Sequence, residues 1–200
     1  MRITIFSNAP WAPTGYGTQT AQLTRRLVAD GHDVVIASNY GEMARISEWE
    51  GVPVFPGGAL PYSTDILPRI DRIHDADLLI GLYDTWVITQ EAIEGPRHVA
   101  WWTPIDHDPA PPKVQEFCRG RARILSMSRF GERTLAKDGI PSTYIPHGID
   151  PRTFRPTPSG FRAERGIPDD AFLVTINAAN NDNAPSRKAW FEMLVALKAV

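Results

Sequence analysis

Short apolar runs alternate along this chain with segments of helical period, and that alternation predicts a repeated strand–helix order. Residues 3–6, 33–38, 52–55, 78–82, 98–103, 123–127 and 142–145 read as strands, because they are short, rich in β-branched or aromatic residues and bounded by turn formers. Pro53 inside the third run predicts an edge position or an early break. Residues 18–30 carry Ala21, Thr24, Leu27 and Val28 on one helical face with Arg25 and Arg26 opposite, and Gly31 ends the pattern. Residues 66–74, 85–94, 112–118 and 129–138 predict further helices. The strands are apolar almost throughout rather than alternating, which predicts a parallel α/β sheet covered by helices on both faces.

After residue 156 the pattern restarts, with a short helix over 161–166, a strand over 171–176 and a helix over 189–200 that sets Leu194, Leu197 and Val200 at core spacing. A single strand and helix cannot bury their apolar faces, so this tail is expected to pack on the first domain, on a downstream half or on another copy of the chain.

Composition narrows the classes. The 200 residues are 42% hydrophobic and 22% charged, enough to bury a sizeable core and unlike a disordered chain. A formal charge of −2 without a basic run provides no electrostatic footprint for nucleic acid. The single Cys118 rules out an internal disulfide framework and a Cys-rich metal site, and is read as a small core residue in a reducing compartment. No apolar segment reaches membrane length. A cytoplasmic protein is the expectation.

Three segments carry candidate chemistry. The loop over residues 7–17, with Gly15, Tyr16 and Gly17 at its end, joins the first strand to the first helix, where an open parallel sheet collects ligands and a helix N-terminus offers free N–H groups. It lacks the full G-x-G-x-x-G, and the second strand ends in Ser38-Asn39 instead of an acid, which argues against a nicotinamide dinucleotide. After the strand at 98–103, Pro104-Ile105-Asp106-His107-Asp108-Pro109 places carboxylates and an imidazole on a proline-stiffened loop, groups suited to proton transfer or to recognising hydroxyls. Adjacent residues point in different directions and no other His or Cys lies near in sequence, so a metal site is not expected. In the tail, Arg187 and Lys188 stand at a predicted helix start; cations there oppose the helix dipole unless they meet an anion such as a diphosphate. Each segment also has a plainer reading: glycines relaxing a turn, an Asx turn with surface charges, and a solvated basic pair.

Tyr144-Ile145-Pro146-His147-Gly148-Ile149-Asp150, closed by Phe154 and Pro156, reads as a strand running into a hinge. It resembles the crossover of GT-B glycosyltransferases of the large retaining, nucleotide-sugar-using family 4. Two further stretches resemble that family: Ser126-x-Ser128-x-Phe130 through Gly139, and Pro185-Ser186-Arg187-Lys188, with Ala189 where glycine is usual. The resemblance implies a Rossmann-like acceptor-side domain over residues 1–155, the N-terminal half of a GT-B architecture, and the first βα unit of a donor-side domain over 156–200. It implies transfer of a sugar from a nucleotide-sugar to an acceptor with retention and without a metal cofactor. Arg187 and Lys188 would hold the leaving diphosphate, Gly15 to Gly17 would sit against it, and either Asp106 or His107 would take the acceptor-side histidine's place. Glu42 and Glu50 have the family's E-x7-E spacing but precede the third strand, and are read as solvated; the family's acidic pair would fall beyond Val200. The competing class is a GT-B-like module that binds acceptor or partner without turnover.

Overall fold

A computed structural model describes residues 1–95, 97–178 and 188–198. The chain divides into two compact units, Met1–Asp150 and Pro151–Val200.

The first unit is built on β1 (Arg2–Asn8), α1 (Gly15–Ala29), β2 (Asp33–Tyr40), β3 (Ser47–Trp49), β4 (Val52–Phe55), α2 (Leu67–His74), β5 (Leu78–Leu82), β6 (His98–Thr103), α3 (Pro112–Cys118), β7 (Arg123–Ser126), α4 (Arg129–Lys137) and β8 (Ser142–Tyr144). They form one sheet in the order β3-β4-β2-β1-β5-β6-β7-β8, parallel except for the β3–β4 pair. This is the expected Rossmann-like, doubly wound α/β class. The order reverses between β1 and β5, which opens a crevice beyond their carboxyl ends.

Strand alternation sorts the core. Ile3, Ile5, Val34, Ile36, Val52 and Val54 pack with Leu23 and Leu27 of α1 on one face. Phe6, Val35, Leu79 and Trp101 join Leu67 and Ile70 of α2, Val114 and Phe117 of α3 and Leu135 of α4 on the other. Cys118 belongs to this second cluster, and burial pushes its thiol up to about 12. Beneath the sheet, Asp71 and Arg97 form an ion pair with side chains only 6% and 4% exposed.

Several expectations are corrected. The helix expected over residues 85–94 is instead two 3-10 turns, Thr85–Val87 and Glu91–Ile93, separated by Ile88 in extended backbone; the run Thr85-Trp86-Val87-Ile88-Thr89 is β-branched and aromatic, and poorly suited to a helix. Pro53 lies in β4, which is not the edge, because β3 folds back against it with Glu48 opposite Pro53. The turn joining them uses Glu50 at φ 51 and Gly51 at φ 82, the two positive values of a tight hairpin whose twist matches the strands. Glu50 is solvent-exposed, as expected, and Arg25 donates to both its oxygens at 2.8 and 2.5 Å. Glu42 likewise accepts from Ser47 Oγ and the Ala44 N–H.

In the second unit, α5 (Phe161–Glu164) and α6 (Trp190–Lys198) form, while residues 171–176 carry no strand. A strand exists only when a neighbour completes its ladder, and among the described residues none does. Leu194 and Leu197, expected at core positions, are 58% and 41% exposed, and Phe172 is 93% exposed. Val200 lies outside the described residues. Among those described, no helix is long and apolar enough to cross a membrane.

Candidate functional site

The site begins where β1 ends. A register shift between Ser7 and Asn8 brings Asn8 opposite Tyr40, and the following loop folds on itself through Ala12 N–H to Ala9 O (2.9 Å) and Thr14 N–H to Ala12 O (2.7 Å). Thr14 caps α1: its Oγ1 accepts from Gly17 N–H at 3.0 Å and from Asn8 Nδ2 at 2.7 Å. The helix therefore starts at Gly15 rather than at residue 18, and Gly15, Tyr16 and Gly17 form its first turn. The two glycines differ in kind. A Cβ on Gly15 would meet nothing within 4 Å, whereas one on Gly17 would lie 2.4 Å from the Ala12 carbonyl oxygen and 2.9 Å from that of Ala9. Gly17 permits the loop to close over the helix; Gly15 is open to solvent or to a ligand.

Tyr16 reaches across the switch point. Its hydroxyl donates to Asp84 Oδ2 at 3.1 Å, and its ring lies 5.1 Å from that of Tyr83. Burial raises the affinity of the Tyr16 phenol for its proton, and the Asp84 charge adds to it. Asp84 follows β5 and opens the first 3-10 turn. Its carboxyl is held above the usual carboxylate range, chiefly by burial; the Tyr16 bond opposes this, and the negative charge of Asp106 reinforces it. The loop after β6 thus lies close enough to bring Asp106 into the same electrostatic field. Asp106 Oδ1 and His107 Nδ1 are 2.7 Å apart, both side chains largely exposed. Lys137 pairs with Asp108. Asp84, Trp86, Asp106 and His107 line a pocket of about 250 Å³ floored by Ile105 and Val114. Among the described residues no group of three His, Cys, Asp or Glu side chains is placed to hold a metal ion.

The segment after β8 is bound down over the same end of the sheet. Trp102 Nε1 donates to Ile145 O at 2.7 Å, and the Gln19 amide bridges both polar backbone groups of Gly148 at 2.9 and 3.3 Å. His147 stands edge-on to Trp102, ring centres 4.7 Å apart. Burial lowers its affinity for a proton. Below pH about 6.5 the unfolded chain binds a proton that the folded His147 resists, so this group withdraws stability as the pH falls through its folded midpoint. An NMR titration should place that midpoint below 6.5 and show it rising towards 6.5 in Trp102→Ala; a midpoint above 6.5 in the parent would contradict the burial.

The structure brings Gly15, Tyr16, Asp106 and His107 to one end of the sheet. Lys188 is half-buried in a turn of the second unit just before α6, preceding Ala189 at φ 50, and Arg187 lies outside the described residues. The stretch from Ser126 contributes a helix cap, Ser128 Oγ accepting from Gly131 N–H at 3.0 Å. Sequence reasoning missed Asp84 and Trp86. The available signal was an acid two residues past an apolar strand, at the sheet end where ligands gather.

No protein-family model and no curated protein matches the chain. Among solved structures, the chain is similar to a sucrose-phosphate synthase from Thermosynechococcus elongatus, at TM-score 0.62 and 14% identity over 85% of this chain and 53% of that one. A second structure of that synthase matches at TM-score 0.51 and 13% identity, over 75% of this chain and 91% of the other. The chain thus spans about half the length of the first of these structures. The likeness is one of fold: a Rossmann-like α/β architecture of the kind on which GT-B glycosyltransferases are built.

Proposed function

We propose that this protein is a glycosyltransferase that moves a sugar from a nucleotide-sugar to an acceptor hydroxyl, with retention and without a metal ion. The observation that supports it best is the convergence of Tyr16, Asp84, Asp106 and His107 at the switch point of the sheet, where this fold class places its ligands. In the reaction the bond from the sugar's anomeric carbon to the diphosphate oxygen breaks, its electron pair leaving with the diphosphate. The acceptor oxygen bonds to that carbon and gives up its proton to the departing diphosphate. Positive charge develops on the sugar ring meanwhile, and carboxylates facing it are stabilising. Asp106 and His107 serve the sugar and the acceptor hydroxyl; Tyr16 fixes Asp84; the open first turn of α1 at Gly15 takes the diphosphate.

The test is release of nucleoside diphosphate from a panel of nucleotide-sugars by the natural full-length protein. Asp106→Ala with His107→Ala should lower turnover by about a hundredfold or more at unchanged melting temperature. Unchanged turnover in the double variant would overturn the residue roles. Binding of sugars with no consumption of any donor would favour a non-catalytic module.

A further inference from the structure

The wall of the pocket says what kind of acceptor it fits. Trp86 stands 53% exposed and Tyr62 41% exposed, with ring centres 6.0 Å apart and an edge-on contact at 72°. Tyr62 continues to Tyr83 at 6.2 Å and Tyr83 to Tyr16 at 5.1 Å, so a continuous aromatic surface runs from the first turn of α1 to the pocket mouth. Exposed indole and phenol rings clustered in one patch mark a surface that binds a ligand. The backbone is strained to present them: Tyr62 and Ser63 both sit at positive φ, 58 and 54, which non-glycine residues adopt only where their surroundings impose it. Those surroundings are visible. Ser63 is buried, and the Asp65 carboxylate accepts from the N–H groups of Ala59 and Leu60 at 3.1 and 3.3 Å.

Asp84, Asp106 and His107 line the same pocket as Trp86. The indole N–H of Trp86 favours the ionised form of Asp84, so ring and acid are coupled. Among the described residues, no Lys or Arg lines this pocket. An aromatic face next to hydrogen-bond acceptors complements a pyranose, whose axial C–H bonds form an apolar face and whose rim carries donating hydroxyls. A phosphorylated sugar would instead bring its negative charge against two carboxyl groups without a cation to meet it. The pocket of about 250 Å³ has room for one such ring.

We propose that this pocket is the acceptor subsite and that it takes an uncharged pyranose, stacked on Trp86 and hydrogen-bonded to Asp84 and Asp106, and not a sugar phosphate. The inference rests on the transferase reading for the word acceptor, and on the geometry alone for the binding. The experiment is an NMR titration of the 15N-labelled protein with methyl α-glucopyranoside, methyl β-galactopyranoside and glucose 6-phosphate, following the Trp86 indole N–H identified by its loss in Trp86→Ala. At least one methyl glycoside should shift that resonance saturably, Trp86→Ala should weaken its binding at least tenfold as read by saturation transfer to the sugar, and glucose 6-phosphate should bind at least tenfold more weakly than the glycoside. Trp86→Phe, which keeps an aromatic face, should recover part of the loss. No glycoside binding, binding indifferent to Trp86, or tighter binding of the phosphate would overturn the proposal. Glycoside binding with no nucleotide-sugar turnover would retain the subsite and remove the transferase reading; turnover without glycoside binding would do the reverse.

Discussion

Gly17→Val is expected to destabilise the protein by about 3 kcal/mol, while Gly15→Val, two positions earlier, costs under about 1 kcal/mol. Both substitutions place a β-branched residue in the first turn of α1, so its local cost is common to the two. What separates them is the loop overhead. A Cβ at Gly17 would press on the carbonyl oxygens of Ala12 and Ala9 at 2.4 and 2.9 Å, and both oxygens are already engaged, by Thr14 N–H and Ala12 N–H. They cannot yield without opening the loop and disturbing the Thr14 cap, whose bond is made to Gly17 itself. Urea denaturation of the three proteins measures the difference. Equal midpoints for the two variants would mean that the loop is not held as described. Only Gly15→Val then reports on close approach of a ligand to the helix N-terminus.

Trp101→Ala should cost about 3–5 kcal/mol, the range for deleting a large aromatic side chain from a packed core. Trp101 is fully buried, lies 6.1 Å from Phe6 and 5.1 Å from Phe117, and covers Gly81 so closely that a Cβ there would fall 2.2 Å from its ring. Its indole N–H also donates to Tyr83 O at 3.0 Å, one residue before Asp84. Truncation therefore leaves a void and frees the backbone that presents the carboxyl group. A loss below about 1 kcal/mol in the denaturation midpoint analysis would show that the core collapses around the gap.

The parallel sheet was legible because its evidence is distributed: seven short runs, the central ones too apolar to face water on one side, point to the same layered arrangement. The antiparallel β3 was not, since Ser47-Glu48-Trp49 has no apolar signature and exists through its pairing with β4. The absence of a strand at residues 171–176 has the same cause with the opposite sign, a strong β pattern with no partner among the described residues. At the site, Asp106 and His107 stood out because their loop is dense in titratable groups. Asp84 did not, because a lone acid after a strand is common; its significance comes from Tyr16, 68 positions away in the chain, and only the fold joins them. The glycines were read as one feature and prove to be two, a distinction made by carbonyl oxygens that no local pattern reveals.

The reversed direction of β3 has a consequence for how copies of this molecule can meet. A parallel sheet ends in a row of unused backbone donors and acceptors, an invitation to lengthen itself with a strand from a neighbour. Here that rim is occupied by a three-residue strand running backwards, tied by Glu50 to Arg25 of α1, whose guanidinium also lies over the Trp49 ring at 4.9 Å. The opposite rim, β8, is again three residues long. Neither border offers a length of ladder on which a second sheet could grow, so encounters between copies through the first unit are left to side chains rather than to the backbone.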